Sequence, residues 1–210
     1  MGTNDADKIQ NKTISTEPNT EPNTALKADK KSLEAVSIAP LYSADDIALE
    51  IDKLAKTIAT RDYKNLIIIA VLKGSFVFAA DLIRAMHRAG MSPEMDFLSL
   101  ASYGTKTKSS GEVKIIRDID SIVEGRSVLL IDDILESGRT LDFAKDLVTK
   151  RGAHEVLTCV LLNKDVSRAV DITADFHAFD CPDLFVIGYG MDLAHQYREL
   201  PFVGVLSPSD

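Results

Sequence analysis

The sequence predicts an α/β fold, a mostly parallel sheet flanked by helices. Two observations carry this. Apolar runs rich in β-branched residues, such as Leu66 to Leu72, suit strands covered on both faces, and stretches of helical periodicity lie between them. Strands alternating with helices build a mostly parallel sheet with helices on both sides.

In chain order, residues 1 to about 34 are polar and hold a short tandem repeat, Thr16-Glu17-Pro18-Asn19 then Thr20-Glu21-Pro22-Asn23. With few large apolar groups to bury, this stretch is expected to be a disordered tail outside the fold, leaving 35–210 as one domain. Ser43 and Asp46 form a plausible capping box, and Ile47, Ile51, Leu54 and Ile58 recur at helical spacing. The strand from Leu66 to Leu72 leads into Lys73-Gly74-Ser75 and a helix ending near Gly90. Met95 to Ala101 is read as a strand, Ser102 to Glu112 as a polar mobile loop, and Val113 to Ile116 as a strand again. A buried strand over Ser127 to Ile131, a helix from about Gly138 to Lys150 and a strand over Glu155 to Leu162 follow. Phe176 to Asp210 is less regular, with one short apolar run from Leu184 to Ile187.

Composition narrows the function. The 210 residues suit one compact domain, and 45% hydrophobic with 27% charged residues is ordinary for a globular protein. A net charge of -8 disfavours an electrostatic grip on nucleic acid or anionic lipid, so neither is an expected partner. The two cysteines, Cys159 and Cys181, form no CxxC pair and suit a reducing, cytoplasmic setting. No apolar stretch has the length of a membrane span, no signal-peptide core is legible, and Ala6 stands where a myristoylation motif wants Ser or Thr. The four histidines share no metal-binding spacing.

The chemistry concentrates in Ser127 to Thr140, SVLLIDDILESGRT. A strand delivers Asp132 and Asp133 to the end of the sheet where ligands of open α/β folds bind. The amides and hydroxyls of Ser137 to Thr140, at a helix start, suit a phosphate, and Gly138 allows close backbone approach. The acids would repel phosphate and are better placed to accept from sugar hydroxyls or hold a cation. By itself the acidic pair is also compatible with a cap answering the helix dipole, the less favoured reading. Neither GxxxxGK[ST] nor GxGxxG is present, which removes the two commonest competing phosphate loops.

Strand, two acids, two apolar residues, an acid and Ser-Gly-Arg-Thr together resemble the phosphoribosyl pyrophosphate signature of type I phosphoribosyltransferases. Val71-Leu72-Lys73-Gly74-Ser75, Ser102-Tyr103-Gly104, Lys164 and Asp183 to Asp192 extend the resemblance, from about residue 40 to residue 206, toward the hypoxanthine-guanine group. The resemblance implies a small base-binding hood beside the sheet, a Mg2+ requirement and a homodimer or homotetramer. It further implies that Lys73, Gly74 and Arg198 serve pyrophosphate, and that Asp132 and Asp133 face the ribose. Glu136, Ser137, Gly138, Arg139 and Thr140 would surround the 5-phosphate, and Ser102 and Tyr103 begin a lid. Lys164, Phe185 and Val186 would read the base, and Asp192, with Asp132 and Asp133, would meet magnesium. A cis bond at Lys73-Gly74 or its neighbour belongs to the same pattern. Glu136 stands where many members carry aspartate; a carboxylate there could take the proton that the attacking base must lose. The competing class is an RNA-binding regulator built on the same sugar-phosphate loop, against which Lys164, Phe185, Asp192 and the acidic charge count.

Because residues 1 to 34 lack groups with which to join a core, their deletion is expected to leave kcat and melting temperature within error in side-by-side assays.

Overall fold

The computed structural model describes residues 36–105 and 108–208. The disordered tail expected over residues 1 to 34 lies outside the described residues.

A six-stranded sheet runs in the order β4-β3-β2-β5-β6-β7, formed by β2 (Ile67–Leu72), β3 (Glu94–Thr105), β4 (Lys108–Arg117), β5 (Ser127–Leu135), β6 (Glu155–Lys164) and β7 (Phe176–Cys181). Its pairings are parallel except that of β3 with β4. Strand alternation divides the apolar residues between two faces. Ile68, Ala70, Leu129 and Ile131 pack with Ile47, Ile51 and Ile58 of α1 (Ala44–Ile58) and with Phe78, Leu82 and Met86 of α2 (Phe76–Arg88). Ile67, Ile69, Val128 and Leu130 pack with Leu141, Ala144 and Val148 of α3 (Arg139–Lys150). The mostly parallel, helix-flanked sheet expected from the sequence is thus present.

Three further strands make a separate antiparallel sheet in the order β1-β9-β8, from β1 (Val36–Tyr42), β8 (Val186–Ile187) and β9 (Val203–Pro208). Of these the sequence indicated only the Leu184–Ile187 run, which is shorter as a strand. Pairing corrects three boundaries. β5 continues to Leu135, where it pairs with Asn163, so Asp132 and Asp133 belong to the strand end. Phe176–Cys181, read as irregular, pairs in parallel with β6. Ser102 to Glu112, read as a loop, largely continues β3 and β4, with Ser102 opposite Val113, Tyr103 opposite Glu112 and Thr105 opposite Lys108. Backbone ladder bonds hold such a hairpin without help from apolar side chains. The side chains of residues 102 to 112 lie outside what is described.

α1 carries the full capping box: Ser43 Oγ accepts from the Asp46 amide at 3.2 Å, and Asp46 accepts from the Ser43 amide at 3.2 Å. α2 and α3, which both begin at the sheet's carboxyl edge, have no side-chain cap.

Leu82 is fully buried between α2 and the sheet. Leu82→Ala should cost about 2–5 kcal/mol, read as a lower urea midpoint at unchanged slope. Leu49→Ala, on the exposed face of α1, should stay within about 0.5 kcal/mol.

Candidate active site

A cleft of about 280 Å³ opens where β2 and β5 end, lined among others by Lys73, Gly74, Asp132, Asp133, Glu136, Ser137, Gly138 and Thr140. Eight of the residues singled out from the sequence therefore meet in one place. The turn after β2 is tight. Ser75 Oγ, buried, donates to the Val71 carbonyl at 2.5 Å, and the Leu72-Lys73 peptide, the bond next to Lys73-Gly74, is cis. A Cβ on Gly74 would overlap the carboxylate of Asp133, so glycine is what lets this turn lie against the acidic strand end.

Gly138 precedes α3 with φ of 80°, in the left-handed region. A side chain there would stand 2.5 Å from Ile172 and 2.9 Å from Val170, so the segment after β6 buttresses the loop from behind. The Ala169 amide, bonded to the Ser137 carbonyl at 3.1 Å, ties the two together. With no side-chain cap, amides of the first turns of α2 and α3 remain as donors, and both helix starts adjoin the cleft.

Asp132 is 8% exposed. Burial first, then the adjacent Asp133 charge, pushes its carboxyl well above the usual carboxylate range. Burial also raises Asp133, opposed by hydrogen bonds from Asp132 and backbone amides and by the Arg198 guanidinium. Two acids that resist carrying two charges together suit a cation or sugar hydroxyls as partners. Magnesium usually takes one or two carboxylates together with substrate phosphates and water. Asp132, Asp133 and Asp192 fit that chemistry; among the described residues no three His, Cys, Asp or Glu side chains converge into a protein-only cage.

Lys164 ends β6 and is 5% exposed; its Nζ stands 3.1 Å from Glu136 Oε1 and 3.6 Å from Asp183 Oδ1. This brings the lysine beside the cleft. Phe185, 56% exposed, precedes β8, whereas Val186 is buried and pairs with Val205. Arg198 pairs with Asp192 at 2.6 Å and donates to the Gly190 carbonyl at 2.6 Å, while Asp192 accepts from the His195 amide at 2.8 Å. Arg139 opens α3 but is not among the residues lining the cleft. The side chains of Ser102 and Tyr103 lie outside what is described.

Sequence reasoning missed two contacts that hold this arrangement. Tyr189 Oη donates to Asp81 Oδ2 at 2.6 Å, joining the small sheet's neighbourhood to α2, and Gly190 packs so closely on the Gly74 carbonyl that a side chain would overlap it. Neither leaves a local signal, because the partners are far apart in the chain.

Comparison with known proteins accords with this geometry. The phosphoribosyl transferase domain family matches residues 37–194. The hypoxanthine-guanine phosphoribosyltransferase of Bacillus subtilis (strain 168) is 44% identical over 171 residues, covering 80% of this chain and 93% of that protein. A bifunctional protein TilS/HprT of Listeria monocytogenes is 44% identical over 169 residues, 80% of this chain, although the chain spans only 26% of that longer protein. A crystal structure of a Staphylococcus aureus hypoxanthine phosphoribosyltransferase superposes with a TM-score of 0.76 at 35% identity, covering 87% of this chain and 97% of that one. Sequence and fold therefore agree that this chain belongs to the phosphoribosyltransferase family, among its hypoxanthine-guanine members.

Proposed function

We propose that this chain transfers the 5-phosphoribosyl group of phosphoribosyl pyrophosphate to hypoxanthine or guanine, releasing pyrophosphate and forming IMP or GMP for purine salvage. The observation that carries this reading is the cleft itself: a buried and a half-buried acid between two uncapped helix starts, with Lys164 beside Glu136 at its edge.

In this reading Glu136, Ser137, Gly138, Arg139 and Thr140 surround the 5-phosphate, with the α3 amides as donors. Asp132 and Asp133 accept from the ribose hydroxyls. The reaction breaks the bond from ribose C1 to the pyrophosphate oxygen and forms one from C1 to a ring nitrogen of the base. Lys73, Gly74 with the α2 amides, and Arg198 meet the negative charge that collects on the departing pyrophosphate. Asp192, Asp132 and Asp133 would hold a magnesium ion, which would further neutralise that charge. Glu136 accepts the ring proton that the attacking base loses. Lys164 donates to the 6-oxo group, Phe185 offers its exposed ring for stacking, and Val186 presents backbone groups to the base edge. Adenine would meet the lysine donor to donor. Ser102 and Tyr103 belong to the segment that covers the site. A homodimer or homotetramer in the cytoplasm completes the proposal, supported by the family resemblance and by two buried free thiols, Cys159 and Cys181, that accord with a reducing compartment.

Glu136→Gln should lower kcat about tenfold to a thousandfold while sugar-phosphate binding stays nearly intact. A variant with unchanged kcat would remove Glu136 from the chemistry. Lys164→Gln should raise KM for both oxopurines about tenfold or more and narrow the gap to adenine. Retention of both properties, measured by competing bases with one sugar phosphate, would assign the 6-position to another group.

A further inference from the structure

Lys164 is shared by two carboxylates that are held in different ways. Glu136 sits in the turn between β5 and α3 with a side chain 55% exposed, 3.1 Å from the buried ammonium. Asp183, 71% exposed at its side chain, lies 3.6 Å away on the other side of the sequence, two residues beyond β7. Its backbone is set by the strand that carries the lysine: Lys164 pairs with Cys181, the Asp165 amide bonds the Cys181 carbonyl at 2.9 Å, and the Leu184 amide closes a turn on the Pro182 carbonyl at 2.8 Å. Asp183 is thus anchored to the lysine's own strand, while Glu136 belongs to the phosphate loop.

This difference bears on proton transfer. A carboxylate held by a lysine is not free to face a ring N–H, and a buried ammonium deserted by its partner is costly. Were Glu136 the single partner of Lys164, turning toward the base would strand that charge. Among the described residues Glu136 and Asp183 are the carboxylates in ion-pair range of Lys164. An ammonium has three donors, enough for Asp183 and the 6-oxo group once Glu136 has left.

We propose that Asp183 is a positioning residue: by keeping the Lys164 charge compensated, it releases Glu136 to take the proton of the incoming base. The inference rests on the reading that Lys164 meets the 6-oxo group and Glu136 is the base. Arrival of the oxopurine then does two things together. Its carbonyl replaces one oxygen at the ammonium, and the displaced Glu136 turns to the ring nitrogen. Asp183 stays with the lysine throughout and touches neither the base nor the sugar.

The test is steady-state nucleotide synthesis from hypoxanthine by the full chain and its variants. Asp183→Asn should lower kcat about two- to fivefold, as loss of a charged partner at an exposed site allows, with KM for hypoxanthine within about twofold. Asp183→Glu should recover most of the loss. In a Lys164→Gln background Asp183→Asn should bring no further fall, because the charge it compensates is gone. Equal loss in both backgrounds would show that Asp183 merely shapes its turn, and an Asp183→Asn variant matching an active wild type would overturn the positioning role alone. A wild-type protein that forms no nucleotide overturns the underlying reading instead.

Discussion

Gly74 and the Asp133 carboxylate share a space that closes as soon as a side chain is added to the glycine, and the rest of the site is arranged around that contact. It exists because β2 and β5 are parallel neighbours, paired from Ile67 with Val128 to Ala70 with Ile131, so that both strands finish at the same edge. The chain then leaves in opposite directions. α2 drops onto the face of Ile68 and Ala70, and α3 onto that of Ile69 and Leu130. Two helix starts are thereby brought to one cleft although the helix bodies lie on opposite sides of the sheet. Positive ends of two helix dipoles with an acidic pair between them give a site that favours anions at its flanks and hydroxyls or cations at its centre.

The small sheet adds the second half. β1 and β9 come from opposite ends of the described chain, and β9 also pairs with β8, which carries Val186. Tyr189 on Asp81, and Gly190 on the Gly74 carbonyl, lock this part against the turn that begins α2. The segment that follows Val186 is therefore packed on the turn that carries Lys73 and Gly74, and Arg198 donates to the Gly190 carbonyl within it.

What was legible in the sequence was whatever is local. Ser127 to Thr140 contains its strand, its acids and its helix start within one stretch, and the structure keeps that order with a strand four residues longer. The apolar runs of β2, β5 and β6 were equally plain, since strands buried on both faces need no partner to be recognised. β1 and β9 were not, because each is a short run with a proline whose strand character depends on the other, far along the chain. β7 spans only six residues, and its burial follows no clean two-residue alternation, so no strand period stands out. Lys164 could be placed at a strand end, but its two carboxylates come from the β5 turn and from beyond β7, a convergence that only the β5-β6-β7 pairing creates.

The contrast between α1, fully capped by Ser43 and Asp46, and the bare starts of α2 and α3 has a thermodynamic side. A helix whose first amides lack a side-chain acceptor is held less firmly at that end than one that carries its own cap. An anion seated there is a removable cap, and by linkage its binding energy becomes part of the folding free energy of the loops it touches. In the proposed reading, the least reinforced helix ends are those where ligands arrive. Occupancy by a phosphorylated sugar and the rigidity of that edge would then form one equilibrium, governed by the sugar's concentration.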